Sequence, residues 1–221
     1  METLVNLVKW FVEFVLHMDK QLPLIVDSIG IWVYLALFAI IFIETGVVIL
    51  PFLPGDSLLF AAGAVAATTN MNFWVLLVLM PVAAILGDTL NYWIGHYIGP
   101  KVFSQNSRWF KREYLERTHA FYEKHGGKTI LLARFIPIIR TFAPFVAGVG
   151  HMNYGYFLSY NIFGGILWTT LMLGAGRLFG ELEFVKNNFE VVVLAIVVIS
   201  VLPAVFEYLK ERFKPKAAPA K

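Results

Sequence analysis

The chain has 221 residues, 58% hydrophobic and 15% charged, with 18 Lys and Arg against 15 Asp and Glu, a formal net charge of +3 and a mean hydropathy of +0.69. A soluble domain carries about 25% charged and about 45–50% apolar residues, so this balance points to a membrane protein and away from a soluble enzyme, a disordered tail or a coiled coil. The absence of Cys excludes a disulfide scaffold, a thiolate nucleophile and a thiolate-bound metal.

From the start of the chain, residues 4–18 are apolar but interrupted by Lys9 and Glu13, and the Asp-Lys-Gln-Leu-Pro that follows offers no small-residue cleavage site. Residues 1–27 therefore read as a retained amphipathic helix at the membrane interface. Charge-free runs then lie at 28–43, 45–55, 57–87, 89–100, 141–176 and 191–206. A bilayer core asks for about 20 apolar residues of helix. The first two runs join if Glu44 is tolerated, and Pro51, Pro54 and Gly55 break the joined stretch into a hairpin over about 31–67. A span at 72–98 follows and contains Asp88.

Residues 100–128 form a basic loop, with Lys101, Arg108, Lys111, Arg112, Arg117, Lys124 and Lys128 against three Glu. Within it, 106–125 reads as an interfacial helix carrying Phe110, Tyr114 and Phe121 on one side, stopped by Gly126-Gly127. A second hairpin is expected at 129–150, broken by Pro137 and Pro144, then a span at 154–177, an acidic loop at 181–190, a C-terminal span at 191–208 and a basic tail at 209–221.

The two halves resemble each other. Residues 71–99 laid over 152–180, an offset of 81, give nine identities in 29 positions, including both Met-Asn starts and the pairs Gly95/Gly176 and Gly99/Gly180. Each copy is preceded by Phe-x-Ala-Gly, at Phe60–Gly63 and Phe145–Gly148, and before that by the Pro-interrupted stretch. The expected fold is an all-α polytopic membrane protein of two inverted repeats, 28–99 and 129–180, each a re-entrant helical hairpin plus one transmembrane helix. Lys and Arg bias puts the middle loop and the C-terminus in the cytoplasm. Inverted symmetry puts the N-terminus outside, whereas a full span at about 28–50 would put it inside.

Five ionisable residues fall within apolar sequence: Glu44, Asp56, Asp88, Arg134 and Arg140. Such residues are expensive in lipid and default to functional candidates. A carboxyl deprived of water favours its neutral form, which suits Glu44 as a proton acceptor, or as an acid that only pins a helix. Asp56 could equally be the N-cap of a helix beginning at Ser57. Arg134 and Arg140 would point about 240° apart on one ideal helix, but Pro137 breaks it, so they could converge. Their anions would be Glu44 and Asp56 across the repeat interface or a ligand phosphate, which an Arg fork binds through two oxygens. Asp88 could relay protons, pair with an Arg, or bond Thr89 or Asn91 as a neutral acid. Arg177 reads as a snorkelling residue at a span end. His17, His96, His119, His125 and His151 form no metal motif, and no Gly-x-Ser-x-Gly elbow appears. No cofactor or metal is expected, and no enzymatic activity.

Several motifs together resemble the DedA family of bacterial inner-membrane proteins: Phe42-Ile43-Glu44-Thr45-Gly46, Phe52-Leu53-Pro54-Gly55-Asp56-Ser57-Leu58-Leu59, Gly87-Asp88-Thr89-Leu90-Asn91-Tyr92, Phe121 to Lys128, and Ala133-Arg134-Phe135-Ile136-Pro137-Ile138-Ile139-Arg140-Thr141-Phe142-Ala143-Pro144 with Ala147-Gly148. The resemblance covers nearly the whole chain. It implies a lipid transporter of the inner membrane that recycles undecaprenyl phosphate or distributes phospholipid, tied to the proton-motive force. It places the family's key carboxylates and arginines on Glu44, Asp56, Arg134 and Arg140.

The expected function is a flippase for an anionic lipid phosphate. Arg134 and Arg140 would hold the head group, and Glu44, Asp56 and Asp88 would couple protons. Its partners would be membrane lipids and protons, with no nucleic acid; a homo-oligomer is compatible with the sequence. The rivals are a proton-coupled antiporter for cations or cationic drugs and a non-transporting protein that assists envelope assembly.

Overall fold

The computed structural model describes residues 18–47, 55–102, 128–134, 136–196 and 198. The turn prolines Pro51 and Pro54, the interfacial helix expected at 106–125, most of the basic loop, the end of the C-terminal span and the tail lie outside them. The described residues are almost entirely helical and contain no strand. The helices are α1 (Met18–Ile29), α2 (Trp32–Gly46), α3 (Gly55–Thr68), α4 (Phe73–Val102), α5 (Lys128–Ala133), α6 (Pro137–Val149), α7 (Tyr154–Phe179) and the short α8 (Glu183–Asn187), followed by helical residues 189–196.

Among the described residues two helices are long and apolar enough to cross a membrane, Phe73–Ile98 with mean hydropathy 2.1 and Tyr154–Phe179 with 1.4. At 1.5 Å per residue each extends about 39 Å, beyond the roughly 30 Å of a hydrocarbon core. Their outward faces stay apolar: Trp74 is 72% exposed and Leu178 73%, with Val78, Leu86, Phe163 and Leu171 also outside. Such continuous apolar surface suits lipid as solvent.

Both long helices begin in the same way. Asn72 Oδ1 accepts the Trp74 N–H at 2.9 Å, and Asn153 Oδ1 accepts the Tyr156 N–H at 3.1 Å. The Met-Asn pairs that opened both sequence copies are therefore the N-cap positions of α4 and α7, where Asn satisfies an otherwise orphaned amide. Between α1 and α2 the chain turns through Gly30 at φ +54, a left-handed conformation that glycine adopts without penalty.

The helices are exchanged between halves: α3 packs on α7, and α6 packs on α4. The contact residues correspond between the two copies, at an offset of 81 on the long helices and of 85 on their partners. A Cβ on Gly63 would run into the Leu173 carbonyl, and one on Gly176 into that of Phe60. In the other pair, a Cβ on Gly148 would meet the Tyr92 carbonyl, and one on Gly95 that of Phe145. Leu173 corresponds to Tyr92 and Gly176 to Gly95, while Phe60–Gly63 and Phe145–Gly148 are the two Phe-x-Ala-Gly motifs. Small residues let helix backbones approach closely where lipid offers no hydrophobic drive to hold them together.

Four details differ from the sequence expectation. Pro144 lies inside α6 and makes no turn; the break falls at 134–136, where Pro137 takes the first helical position that suits its missing N–H. Gly55 and Asp56 are the first residues of α3, so Asp56 sits in its first turn rather than capping a helix from Ser57. The first long helix runs on to Val102, and the 181–190 segment contains α8.

The glycine contacts predict a selective response to one added methyl. Gly63→Ala, Gly95→Ala, Gly148→Ala and Gly176→Ala should each destabilise by about 1–3 kcal/mol, because a backbone atom must move. Gly174, with nothing within 4 Å of its would-be Cβ, should tolerate Ala or gain from better helix propensity. Thermal unfolding in detergent checks this, and equal melting temperatures for all five variants would contradict the packing.

Candidate functional site

Four of the five sequence-selected residues are deeply buried, and Asp56 is nearly so. Each is placed by a different break or helix. Glu44 stands in the last turn of α2 and Asp56 in the first turn of α3, and both carboxylates reach Arg140. Asp88 lies midway along α4. Arg134 occupies the break after α5, where Ile136 is extended (φ −119) as the residue before a proline prefers. Arg140 follows one turn into α6, its N–H donating to the Ile136 carbonyl at 2.7 Å.

Arg140 is the hub. Its Nη2 donates to Glu44 Oε1 at 2.8 Å and its Nη1 to Asp56 Oδ1 at 2.7 Å. One guanidinium thus serves two carboxylates from two helices. Glu44 is 1% exposed and Asp56 14%. The Glu44 carboxylate lies against Gly55, where any Cβ would collide with it. Arg134 forms a second centre, donating through Nη2 to Asp88 and to Asn161 of α7. Asn161 also donates to the Ile85 carbonyl at 3.1 Å, tying that centre to α4.

The two centres share Trp168 of α7. Its indole N–H donates to Asp56 Oδ1 at 2.7 Å, Arg140 Cζ lies 4.5 Å from its ring centroid and Arg134 Cζ 6.0 Å. Asn91 of α4 is a crossbar, donating to the carbonyls of Thr45 (3.1 Å) and Thr141 (2.7 Å). These residues adjoin Glu44 and Arg140, so Asn91 fixes the spacing of that pair. Asn91, expected as a neighbour that Asp88 could bond, does this instead, and Asp88 goes to Arg134.

The structure therefore brings all five residues into two linked clusters with one negative charge in excess if every group is ionised. Sequence reasoning missed Trp168, Asn161 and Asn91 as members. A scan for charges passes over amides and indoles, although a polar side chain inside the charge-free 141–176 run was a usable signal. Arg177 sits exposed in the last turn of α7 with its guanidinium 4.7 Å from the Phe73 ring centroid. His96 and His151 meet edge to face at 4.6 Å, away from the arginines' partners. Among the described residues no group of three or more His, Asp or Glu is placed to hold a metal ion.

The family pattern described as the VTT domain matches residues 53–178. The chain is 51% identical over 210 residues to the protein DedA of Escherichia coli (strain K12), covering 94% of this chain and 96% of that one. It is 47% identical over 170 residues to an uncharacterized membrane protein of Mycobacterium leprae (strain TN), 76% of each chain. It is 35% identical over 151 residues to the inner membrane protein YqjA of Escherichia coli (strain K12), 67% of this chain and 68% of that one. No solved structure matches it significantly.

Arg140 is the cation paired with both Glu44 and Asp56, so removing it alone should cost about 3–5 kcal/mol, the penalty of leaving buried charge uncompensated. Arg140→Met should therefore melt well below the parent, and Arg140→Met with Glu44→Gln and Asp56→Asn should recover most of the loss. An unrecovered triple variant would show that packing, not charge, sets the cost.

Proposed function

This chain belongs to the DedA family of membrane proteins, and from that premise we propose that it carries an anionic lipid phosphate, such as undecaprenyl phosphate or a phospholipid, between the leaflets of the bacterial inner membrane, linked to proton uptake. The observation that carries the proposal is a buried guanidinium shared by two carboxylates from the facing ends of two short helices. An Arg fork that holds two carboxylates matches the oxygens of a phosphate equally well.

In this reading the acids and the phosphate compete for one cation. Protonating one carboxyl removes its claim on Arg140 and opens a fork edge to the head group. Loss of that proton restores the acid and displaces the phosphate. Arg134, already held by Asp88 and Asn161, supplies a second cation near the same indole, so the head group meets two guanidiniums beside Trp168. The reading calls on lipid and protons, and on no catalytic step or cofactor.

The architecture that serves this is two inverted repeats with re-entrant hairpins. Helices α2, α3 and α6 have 15, 14 and 13 residues, about 20–23 Å each at 1.5 Å per residue. They are too short to cross the roughly 30 Å core, as suits arms that enter and return. The paired Asn caps, 81 residues apart, and the matching glycine contacts support the repeat. Broken helices facing each other at mid-membrane are where such carriers place their substrate. The basic middle loop and tail belong on the cytoplasmic side.

The test is reconstitution into vesicles with a fluorescent polyprenyl phosphate or phospholipid and a headgroup quencher outside. Wild-type protein should accelerate movement between leaflets, and faster with an imposed proton gradient. Arg140→Ala and Arg134→Ala should lose about tenfold or more, the equivalent of 1.4 kcal/mol or more of head-group interaction. Full activity in either variant would overturn the proposal, and full activity of Glu44→Gln with Arg140→Gln would show that the ion pair is only a static lock.

A further inference from the structure

We propose that Trp168 sorts the two acids on Arg140, holding Asp56 in its ionised form so that Glu44 is the group that takes the proton. The inference deepens the proton-linked reading of this site and rests on it for its functional meaning, though not for its chemistry.

Two carboxylates on one buried guanidinium repel each other, so such a pair shares a proton. The surroundings decide where it goes. Asp56 Oδ1 accepts two N–H groups, from Arg140 and from the Trp168 indole, both at 2.7 Å. Donors aimed at a carboxylate favour its charged form. Asp56 also lies in the first turn of α3, where the helix dipole favours an anion. Glu44 lies in the last turn of α2, where the same dipole opposes one. It is more deeply buried than Asp56, and its single charged donor is Arg140.

The remaining polar groups of the site come from the other helices packed around it. Asp88 of α4 is paired with Arg134 from the break before α6, and α7 contributes the neutral Trp168 and Asn161. The Gly55 backbone N–H serves Glu44, and the indole N–H is a direct bond to Asp56 that can be deleted without changing the charge of the cluster. Trp168 is also 1% exposed and the largest fully buried side chain, so the donor cannot turn away to water. It is a positioning residue: it acts on the proton's address through Asp56.

Infrared spectroscopy of the purified protein in lipid reads this directly, through the carbonyl stretch of a protonated carboxyl group. In wild-type protein that band should shift when the protein is made with carboxyl-labelled glutamate, stay put with carboxyl-labelled aspartate, and vanish in Glu44→Gln. In Trp168→Phe part of the band should move to aspartate sensitivity. Replacing Trp168 by its benzothienyl isostere, which keeps the shape and loses the N–H, should do the same and keeps the test available if the Phe variant fails to fold. A band sensitive only to glutamate in both Trp168 variants, or sensitive to aspartate in the wild type, would overturn the proposal. Neither result depends on lipid movement. A glutamate band with no lipid translocation would sink the transport reading and leave the proton's address standing.

Discussion

Everything about this molecule turns on one guanidinium with two carboxylates in a place where none of the three would be stable alone. An isolated charge in a low-dielectric interior costs several kcal/mol, and a buried pair recovers this only with good geometry. Arg140 meets that condition through both Nη atoms, towards Glu44 and Asp56. Its partners come from α2 and α3, and it comes from α6, so the ion pair exists only if the two halves are docked. The same bond is thus both a clasp between halves and an occupied anion site.

Docking itself is a matter of small residues. Four glycines place helix backbones in direct contact across the two exchanged interfaces, and Asn91 then bridges the carbonyls beside Glu44 and Arg140. The two interfaces correspond residue for residue, but their polar contents do not. Position 88 is Asp and its counterpart 169 is Thr; position 168 is Trp and its counterpart 87 is Gly. Gly87 lets α2 approach until Thr45 fills the space, whereas Trp168 offers a face to the arginines and a donor to Asp56. Two alike helix interfaces thereby hold one asymmetric site.

Much of this was legible in the residue string. Hydropathy and charge placement located both long helices to within a few residues, since a run of apolar residues with Asp88 as its one charge has few other readings. The five buried ionisable residues stood out because charge in apolar sequence is rare. Pairing was less legible: which acid meets which Arg depends on how a broken helix re-aims its side chains, and the 134–136 break defeats the ideal-helix angle. Pro144 misled because a proline inside apolar sequence signals a turn, yet a helix whose neighbours absorb the lost bond tolerates it. Trp168 and Asn161 were invisible to a search for charge, although they do as much as the acids to define the site.

The central claim is that the cation clasped by Glu44 and Asp56 is a lipid-phosphate site. It is tested most directly by purifying the protein gently from native membrane and identifying by mass spectrometry the lipid that stays with it. The account predicts a lipid bearing a phosphate group, retained by wild-type protein and lost from a folded Arg140 variant. No bound phosphate lipid, or the same lipid held equally well without Arg140, would contradict it.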